Sequence, residues 1–171
     1  ELQEYLTMKT LPEPEKRAVI TKTDLTLSDV HFSYTGEKKD EVLKGIDLTL
    51  PEGSFTALVG PSGGGKSTVA KLISRFWDVT EGSIQIGGVD VREIPLSQLS
   101  EMISFVAQDN FLFRCSLLEN IRLGNPLATD EQVKEAARAA QCEEFILKLP
   151  KGYDTPAGDA GKRLSGGEKQ R

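Results

Sequence analysis

The stretch GPSGGGKST at residues 60–68 constrains the possible fold of this chain more than any other feature of its sequence. It follows the run SFTALVG, which is continuously apolar in its centre, as strands buried on both faces of a sheet usually are. It precedes VAKLISRFW, in which four apolar residues fall on one face of a helix: Val69, Leu72, Ile73 and Phe76. This order of strand, glycine-rich loop and helix predicts an α/β fold.

Residues 60–67 match the phosphate-binding pattern GxxxxGK[ST] at every fixed position. Glycines let successive backbone N–H groups turn towards the phosphates of a nucleotide, and side chains in their place would obstruct the loop. We expect Lys66 to reach the β- and γ-phosphates, Ser67 to bind Mg²⁺ and Thr68 to contact the α-phosphate. The alternative, a glycine turn that merely precedes a helix, would not require the whole spaced pattern. The predicted nucleotide-binding residues of the loop are Gly60, Pro61, Ser62, Gly63, Gly64, Gly65, Lys66, Ser67 and Thr68.

Alternating apolar residues predict further strands on both sides of the loop. One strand is indicated by Leu25 and Leu27, followed after a register shift by Val30, Phe32 and Tyr34. The alternation in VLKGIDLTL indicates a second strand, antiparallel to the first. The stretch SIQIGGVDV predicts another short strand and a turn, and ISFVAQ at residues 103–108 predicts a second buried strand.

The second half of the chain has helical character. Three pairs show the capping-box spacing, in which Ser or Thr is followed three residues later by Glu or Gln: Ser116 with Glu119, Thr129 with Gln132, and Ser165 with Glu168. The segment ATDEQVKEAARAAQ predicts a helix from propensity alone. CEEFILKLP predicts a short helix that ends at Pro150.

Composition excludes several classes of protein. The 26 acidic residues outnumber the 21 basic ones, and the net charge of −5 argues against nucleic-acid binding. Cys115 and Cys142 lack CxxC spacing, so we expect free thiols in a reducing compartment rather than a zinc or redox site. No apolar run is long enough to span a bilayer and no signal peptide is recognisable, so we expect this piece to be soluble.

The motif LSGGE at residues 164–168, combined with the phosphate loop, resembles the nucleotide-binding domain of ATP-binding cassette (ABC) transporters. The signature motif of that family is usually LSGGQ, so Glu168 stands where glutamine is commoner. Tyr34 in FSYTG matches the aromatic A-loop residue, and Gln108 in FVAQDNFLF matches the Q-loop glutamine. Residues 116–155 are similar to the helical subdomain of exporter-type members.

The resemblance implies a role for each matching residue. Tyr34 would stack on adenine, and Gln108 would touch Mg²⁺ and the attacking water. The signature residues Ser165, Gly166, Gly167 and Glu168 would grip the γ-phosphate of ATP held by a partner domain. The implied catalytic residues are Lys66, Gln108 and Ser165, and the implied metal ligands are Ser67 and Gln108. Each match also allows a simpler interpretation: core packing for Tyr34, an exposed polar strand end for Gln108, and only a helix cap for residues 165–168.

The resemblance also implies an architecture. It predicts a P-loop NTPase core, with a mixed sheet and an N-terminal antiparallel β-subdomain, plus a helical subdomain that carries the signature. Residues 1–23 would be a linker from an upstream transmembrane domain, and residues 24–171 the nucleotide-binding domain, divided into 24–108 and 109–171. The implied function is that of an ATP-hydrolysing, Mg²⁺-dependent motor domain of an exporter, at the cytoplasmic face of the plasma or inner membrane. Its partners would be a transmembrane domain and a second nucleotide-binding domain.

Part of the family pattern does not occur in these residues. The resemblance places an Asp, a catalytic Glu and a switch histidine after the signature helix, and His31, the only histidine, lies upstream of the phosphate loop. We therefore expect a piece of a longer transporter, incomplete at its C-terminus, that binds nucleotide weakly and hydrolyses it negligibly alone. Two alternatives stay open: a soluble ABC-type ATPase of translation or repair, and a nucleotide-sensing module that does not hydrolyse ATP.

Overall fold

The structure, a computed structural model, describes residues 11–107, 111–160 and 164–170. The chain divides into two compact units, Glu1–Phe105 and Val106–Arg171, which are described separately below. Within the described ranges, no helix has both the length and the apolar character that crossing a bilayer requires.

The first unit contains a four-stranded antiparallel sheet with the strand order β2-β1-β3-β4. Its strands are β1 (Leu25–Phe32), β2 (Leu43–Leu50), β3 (Glu81–Ile86) and β4 (Val89–Asp90). The predicted antiparallel pair and the predicted short strand with its turn are confirmed. Alternate residues of β1 and β3 point into the core, which contains Leu27, Val30, Phe32, Ile84 and Ile86.

A β-bulge explains the register shift that the sequence indicates in β1. Leu27 pairs with Leu48 and Val30 pairs with Ile46, so β1 has one residue more than β2 over this interval. Asp29 lies in the bulge with φ of 46°, in the left-handed region. The extra residue lets Leu27 and Val30 both face the core although they are three positions apart.

The described part of this unit has two α-helices, α1 (Lys66–Ile73) and α2 (Leu96–Met102). The predicted helix after the phosphate loop is confirmed, and α1 buries Thr68, Val69 and Leu72. The prediction that Phe76 shares its apolar face is wrong: α1 ends before Arg75, which has φ of 52°, and Phe76 is 52% exposed. Helix α2 had no capping signal in the sequence, and Pro95 precedes it without a side-chain cap.

The two predicted buried strands do not form. Residues 54–60 have no strand structure, and Phe55 and Val59 are 98% and 94% exposed. Residues 103–107 likewise form no strand, and Val106 is 62% exposed. A central strand needs hydrogen-bonding neighbours on both sides, and among the described residues no strand pairs with either segment. The sheet of the described residues is therefore antiparallel throughout.

The second unit is helical. Its helices are α3 (Leu117–Arg122), α4 (Asp130–Ala139), α5 (Glu143–Leu147), α6 (Ala157–Ala160) and α7 (Gly166–Gln170). The predicted helices α4 and α5 are confirmed, whereas α6 had no signal in the sequence. Cys142 is buried in the apolar core of this unit, and both cysteines are thiols rather than disulfides, as predicted.

Both predicted caps form at the starts of α3 and α4, but only the one at α4 is the complete predicted capping box. Thr129 and Gln132 make the complete reciprocal capping box at the start of α4. The Ser116 hydroxyl accepts a hydrogen bond from the Glu119 N–H at 3.2 Å, and the Glu119 carboxylate pairs with Arg122. The capping signals in the sequence therefore located the starts of these helices correctly.

Candidate functional site

Gly65, the residue of the phosphate loop that directly precedes α1, leaves the first N–H groups of this helix accessible. Gly65 occupies the N-cap position with φ of 79°, a conformation that favours glycine, and among the described residues no side chain caps this helix end. The first N–H groups of α1 therefore point out of the helix without a side-chain acceptor at the cap. A helix start of this kind attracts anions, because its N–H groups carry partial positive charge.

The glycines of the loop differ in how strictly they are required. A Cβ on Gly65 would lie 2.6 Å from Leu43 Cδ2, and one on Gly64 would lie 3.1 Å from the Pro61 carbonyl oxygen. Gly63 shares the left-handed conformation, with φ of 79°. A Cβ on Gly60 would meet no atom within 4 Å, so the expectation that side chains obstruct the loop does not hold at that position.

Lys66 places a positive charge at the loop. Its Nζ donates hydrogen bonds to the carbonyl oxygens of Gly60 at 2.9 Å and Pro61 at 2.7 Å. Because an ammonium group has three donors on a flexible stem, it can exchange these carbonyls for phosphate oxygens without a change of backbone. The ammonium group and the helix start thus form one electropositive site.

Two hydroxyl groups lie in the first turn of α1. Ser67 is exposed, whereas Thr68 is 7% exposed and forms a hydrogen bond of 3.1 Å with the Tyr34 hydroxyl. The described residues contain no cluster of three or more His, Cys, Asp or Glu side chains that could hold a metal ion. Ser67 is suited to Mg²⁺, which typically takes few protein ligands and several phosphate oxygens. Gln108, the second predicted metal ligand, lies outside the described residues.

Tyr34 belongs to an aromatic cluster beside the loop. Its ring packs edge-to-face against Phe32, with centroids 4.8 Å apart, and against Trp77, with centroids 5.2 Å apart. The side chain is nevertheless 49% exposed. The structure thus brings Tyr34, predicted as the base platform, next to Thr68 of the phosphate loop, and leaves part of its surface free for a ligand.

Two residues of this region were missed by the sequence analysis. Trp77 contacts Tyr34 directly, and Arg75 holds the turn that carries Trp77. The Arg75 side chain is fully buried and donates to Asp78 and to the carbonyl oxygens of Ile94 and Pro12. The sequence offers only a weak signal for Trp77, which is the single tryptophan of the chain and follows the loop helix closely.

The signature residues begin a helix of the second unit. Ser165 N–H donates to Glu168 Oε2 at 2.7 Å, and Glu168 N–H donates to Ser165 Oγ at 3.3 Å, so the predicted capping box is complete. Leu164 is buried in the helical core, whereas Ser165, Gly166 and Gly167 are exposed. Leu164 therefore anchors the motif, and its glycine backbone remains accessible.

Comparison with known protein families identifies the family to which this chain belongs. The family described as "ABC transporter" matches residues 43–171, a range that includes the phosphate loop, α1 and the signature. This chain belongs to the ABC transporter family. The resemblance indicated by residues 60–68 and 164–168 is thereby confirmed.

Relatives of this ABC transporter chain include proteins that are named for ATP binding. It is 48% identical, over 89% of its length, to 22% of the "Mitochondrial potassium channel ATP-binding subunit" of Xenopus tropicalis. It is 47% identical, over 86% of its length, to 25% of a Staphylococcus aureus protein named "Putative multidrug export ATP-binding/permease protein".

A solved structure of the same family supports the fold. "Structure of a bacterial Atm1-family ABC exporter with ATP bound" superimposes with a TM-score of 0.81 at 39% identity, covering 92% of this chain and 27% of that one. The α/β fold of an ABC exporter nucleotide-binding domain is therefore confirmed. The ABC transporter chain described here spans about a quarter of the length of the relatives that it matches.

Proposed function

We propose that this chain is the ATP-binding and ATP-hydrolysing motor domain of an ABC exporter. The observation that carries the proposal is the phosphate loop, where an uncapped helix start, the Lys66 ammonium group and the Ser67 hydroxyl occur together. These groups are complementary to a nucleoside triphosphate with its Mg²⁺ ion. Residues 1–23 would be the linker from a transmembrane domain, and residues 24–171 the ABC domain, with subdomains 24–108 and 109–171.

The proposed reaction is phosphoryl transfer from ATP to water. Lys66 would stabilise negative charge on the β- and γ-phosphates, and the backbone N–H groups of the loop would hold the phosphates in place. Bound Mg²⁺ would neutralise charge on the phosphate oxygens, with Ser67 and Gln108 as its protein ligands. Tyr34 would stack on the adenine base.

The signature is proposed to act on a second nucleotide-binding domain. The exposed Ser165 hydroxyl and the adjacent glycine N–H groups would contact the γ-phosphate that the partner domain holds. Closure of two such domains around two ATP molecules would move the attached transmembrane domains. Support for this comes from the Atm1-family relative, which is described as an exporter with ATP bound. The intact protein would then lie at a membrane, with this domain on its cytoplasmic face.

We expect the 171-residue polypeptide by itself to bind ATP weakly and to hydrolyse it negligibly. The resemblance assigns the residue that acts on the attacking water to a strand after the signature helix, outside these 171 residues. Segments 54–60 and 103–107 are also largely exposed, and neither pairs with a strand in the part of the chain that the structure describes.

A second candidate function follows from the potassium-channel relative. At 48% identity, that relative is an ATP-binding subunit rather than a named exporter. A channel-associated domain would respond to ATP binding, so an ATP analogue that cannot be hydrolysed should replace ATP fully. An exporter would need hydrolysis for repeated cycles of transport. Transport or channel activity with the analogue therefore separates the two functions.

Substitution of Lys66 tests nucleotide binding in the intact protein. Lys66→Ala should weaken ATP binding about ten- to a hundredfold, because hydrogen bonds to charged groups contribute more than neutral ones. ATP affinity can be measured by calorimetry and turnover by phosphate release. Lys148→Ala is the matched control, because Lys148 is exposed and forms an exposed ion pair with Glu144 in the second unit. Equal ATP affinity in Lys66→Ala and wild-type protein would contradict the proposed function.

A further inference from the structure

We propose that Trp77 is a positioning residue for Tyr34, and that it thereby sets the affinity of the site for the base of the nucleotide. The inference rests on the proposed function, because it assumes that Tyr34 is the platform on which the base stacks. It goes beyond that function by assigning part of the base-binding affinity to a residue that sequence motifs do not mark.

Tyr34 is held from three directions before any base binds. Phe32 contacts the ring at a centroid distance of 4.8 Å and an interplanar angle of 83°, and Trp77 does so at 5.2 Å and 90°. The hydroxyl group is held by Thr68 through a hydrogen bond of 3.1 Å. Edge-to-face contacts are directional, so two of them and one hydrogen bond together define the orientation of the ring. The exposed 49% of the side chain remains available for stacking.

Trp77 is itself fixed by its own neighbours. The Lys71 ammonium group lies over its ring, 5.7 Å from the centroid, and Phe76 packs against it with centroids 6.3 Å apart. A ring face that is covered by a cation is not open to a base. One face of the indole is thus occupied, and its contact with the Tyr34 ring places Trp77 to support that ring.

A buried arginine anchors the turn that carries Trp77. The Arg75 guanidinium donates to Asp78 at 2.9 Å, to the Ile94 carbonyl at 3.2 Å and to the Pro12 carbonyl at 2.7 Å. Its backbone is in the left-handed region, with φ of 52°, which ends α1 and turns the chain towards Tyr34. Because the turn is anchored on both sides of Trp77, the indole has a rigid support.

A platform that is already oriented loses less side-chain freedom when a base stacks on it. Without the indole, Tyr34 would keep Phe32 and Thr68 as partners but could rotate more freely. Loss of Trp77 should therefore weaken binding of the base and leave the phosphate contacts of residues 60–68 intact. This difference separates a positioning role from a general role in stability.

The test compares ATP with inorganic tripolyphosphate, which has the phosphates but no base. In the intact protein with Mg²⁺, Trp77→Leu should raise the Kd of ATP about three- to tenfold, and the Kd of tripolyphosphate should not change. KM for ATP should rise by the same factor with kcat unchanged. The matched control is Trp77→Phe, which keeps an aromatic edge beside Tyr34 and should bind ATP nearly as wild type does.

A double-mutant cycle identifies the residue through which Trp77 acts. In a Tyr34→Leu background, Trp77→Leu should cause no further loss of ATP affinity. A full additional loss in that background would overturn the proposal, because Trp77 would then act independently of Tyr34. An equal loss of ATP and tripolyphosphate affinity in Trp77→Leu would also overturn it, since the whole loop would then be disturbed.

Fluorescence provides a measurement that does not depend on the folding of Trp77→Leu. The difference spectrum between wild type and Trp77→Phe isolates the signal of Trp77, and it should change on addition of ATP but not of tripolyphosphate. No change with either compound, although ATP binds, would overturn the proposal. If the proposed function itself fails, wild-type protein will bind neither compound, or Lys66→Ala will bind both as well as wild type does.

Discussion

Gly65 is the residue of the phosphate loop that tolerates a side chain least. Its φ is 79°, and a Cβ atom added to it would lie only 2.6 Å from Leu43 Cδ2. We predict that Gly65→Ala lowers the free energy of unfolding by about 1–3 kcal/mol, because a left-handed alanine is strained and Leu43 must move. Urea unfolding of the intact domain measures this change. In Gly60→Ala, where the added methyl group meets open space, the midpoint should stay close to that of wild type.

His31 makes stability depend on pH. Its Nδ1 lies 2.8 Å from a Glu41 oxygen and its Nε2 3.2 Å from an Asp29 oxygen. The hydrogen bond to Glu41 raises the pKa of His31 above its ordinary value of 6.5, burial opposes this, and the charges of Glu41 and Asp29 add to it. Two further acidic residues lie in this part of the sheet: the Asp47 carboxylate accepts a hydrogen bond from the Asp29 N–H, and Glu81 is the β3 partner of His31.

The sign of the effect follows from the raised pKa of His31. The protonated imidazole is favoured in the folded state, so its contribution is complete below pH 6.5 and disappears as the pH rises through the folded pKa. His31→Gln should therefore lower the thermal midpoint more at pH 6 than at pH 9, with both proteins measured by circular dichroism. A difference between the two proteins that does not vary with pH would contradict this prediction.

At the scale of elements, helix α4 depends on its cap. The Thr129 hydroxyl accepts the Gln132 N–H at 3.3 Å, and the Gln132 side-chain oxygen accepts the Thr129 N–H at 2.9 Å. Thr129→Ala should reduce the free energy of unfolding by about 1 kcal/mol, because the helix then begins without a side-chain acceptor. Thr129→Ser keeps the hydroxyl and should unfold at nearly the wild-type urea concentration. A similar loss in both variants would show that the threonine methyl group, not the cap, matters.

Elements that depend on local bonds could be predicted from the sequence. The caps at Thr129 and Ser165 join residues three positions apart, so the spacing alone locates the start of each helix. The start of α1 could be predicted for the same reason, since Gly65 and Lys66 are part of the loop motif itself. Helix α2 could not, because no capping residue precedes it and Glu13, distant in sequence, accepts the Leu96 N–H.

At the scale of the whole molecule, the N-terminal segment 12–18 is held against the rest of the first unit by contacts between residues far apart in sequence. The buried Gln98 side chain accepts the Ala18 N–H and donates to the Ala18 carbonyl, both at 2.9 Å. Arg75 holds the Pro12 carbonyl, and Arg17 forms an exposed pair with Glu101. The Gln98 side-chain amide thus satisfies both backbone groups of Ala18, as the backbone of a neighbouring strand would.

Removing the amide of Gln98 should loosen this segment. We predict that Gln98→Leu lowers the free energy of unfolding by about 1–3 kcal/mol, because the Ala18 backbone groups lose their partners. Hydrogen exchange of the Ala18 amide should become faster in the same variant. Arg17→Ala removes only an exposed pair and should leave both measurements near the wild-type values. If Gln98→Leu did not speed exchange at Ala18, the two hydrogen bonds would not hold the segment.

The sequence by itself determined the phosphate loop, the cap of the signature helix and the alternation of β1 and β2. Each of these depends on bonds or side-chain directions within a few residues, so the spacing of residue types is sufficient to specify it. Tertiary structure alone decided that residues 54–60 lie exposed, that Arg75 is buried, and that Trp77 supports Tyr34. Those outcomes depend on partners distant in the chain, and an apolar run becomes a buried strand only where other strands pair with it.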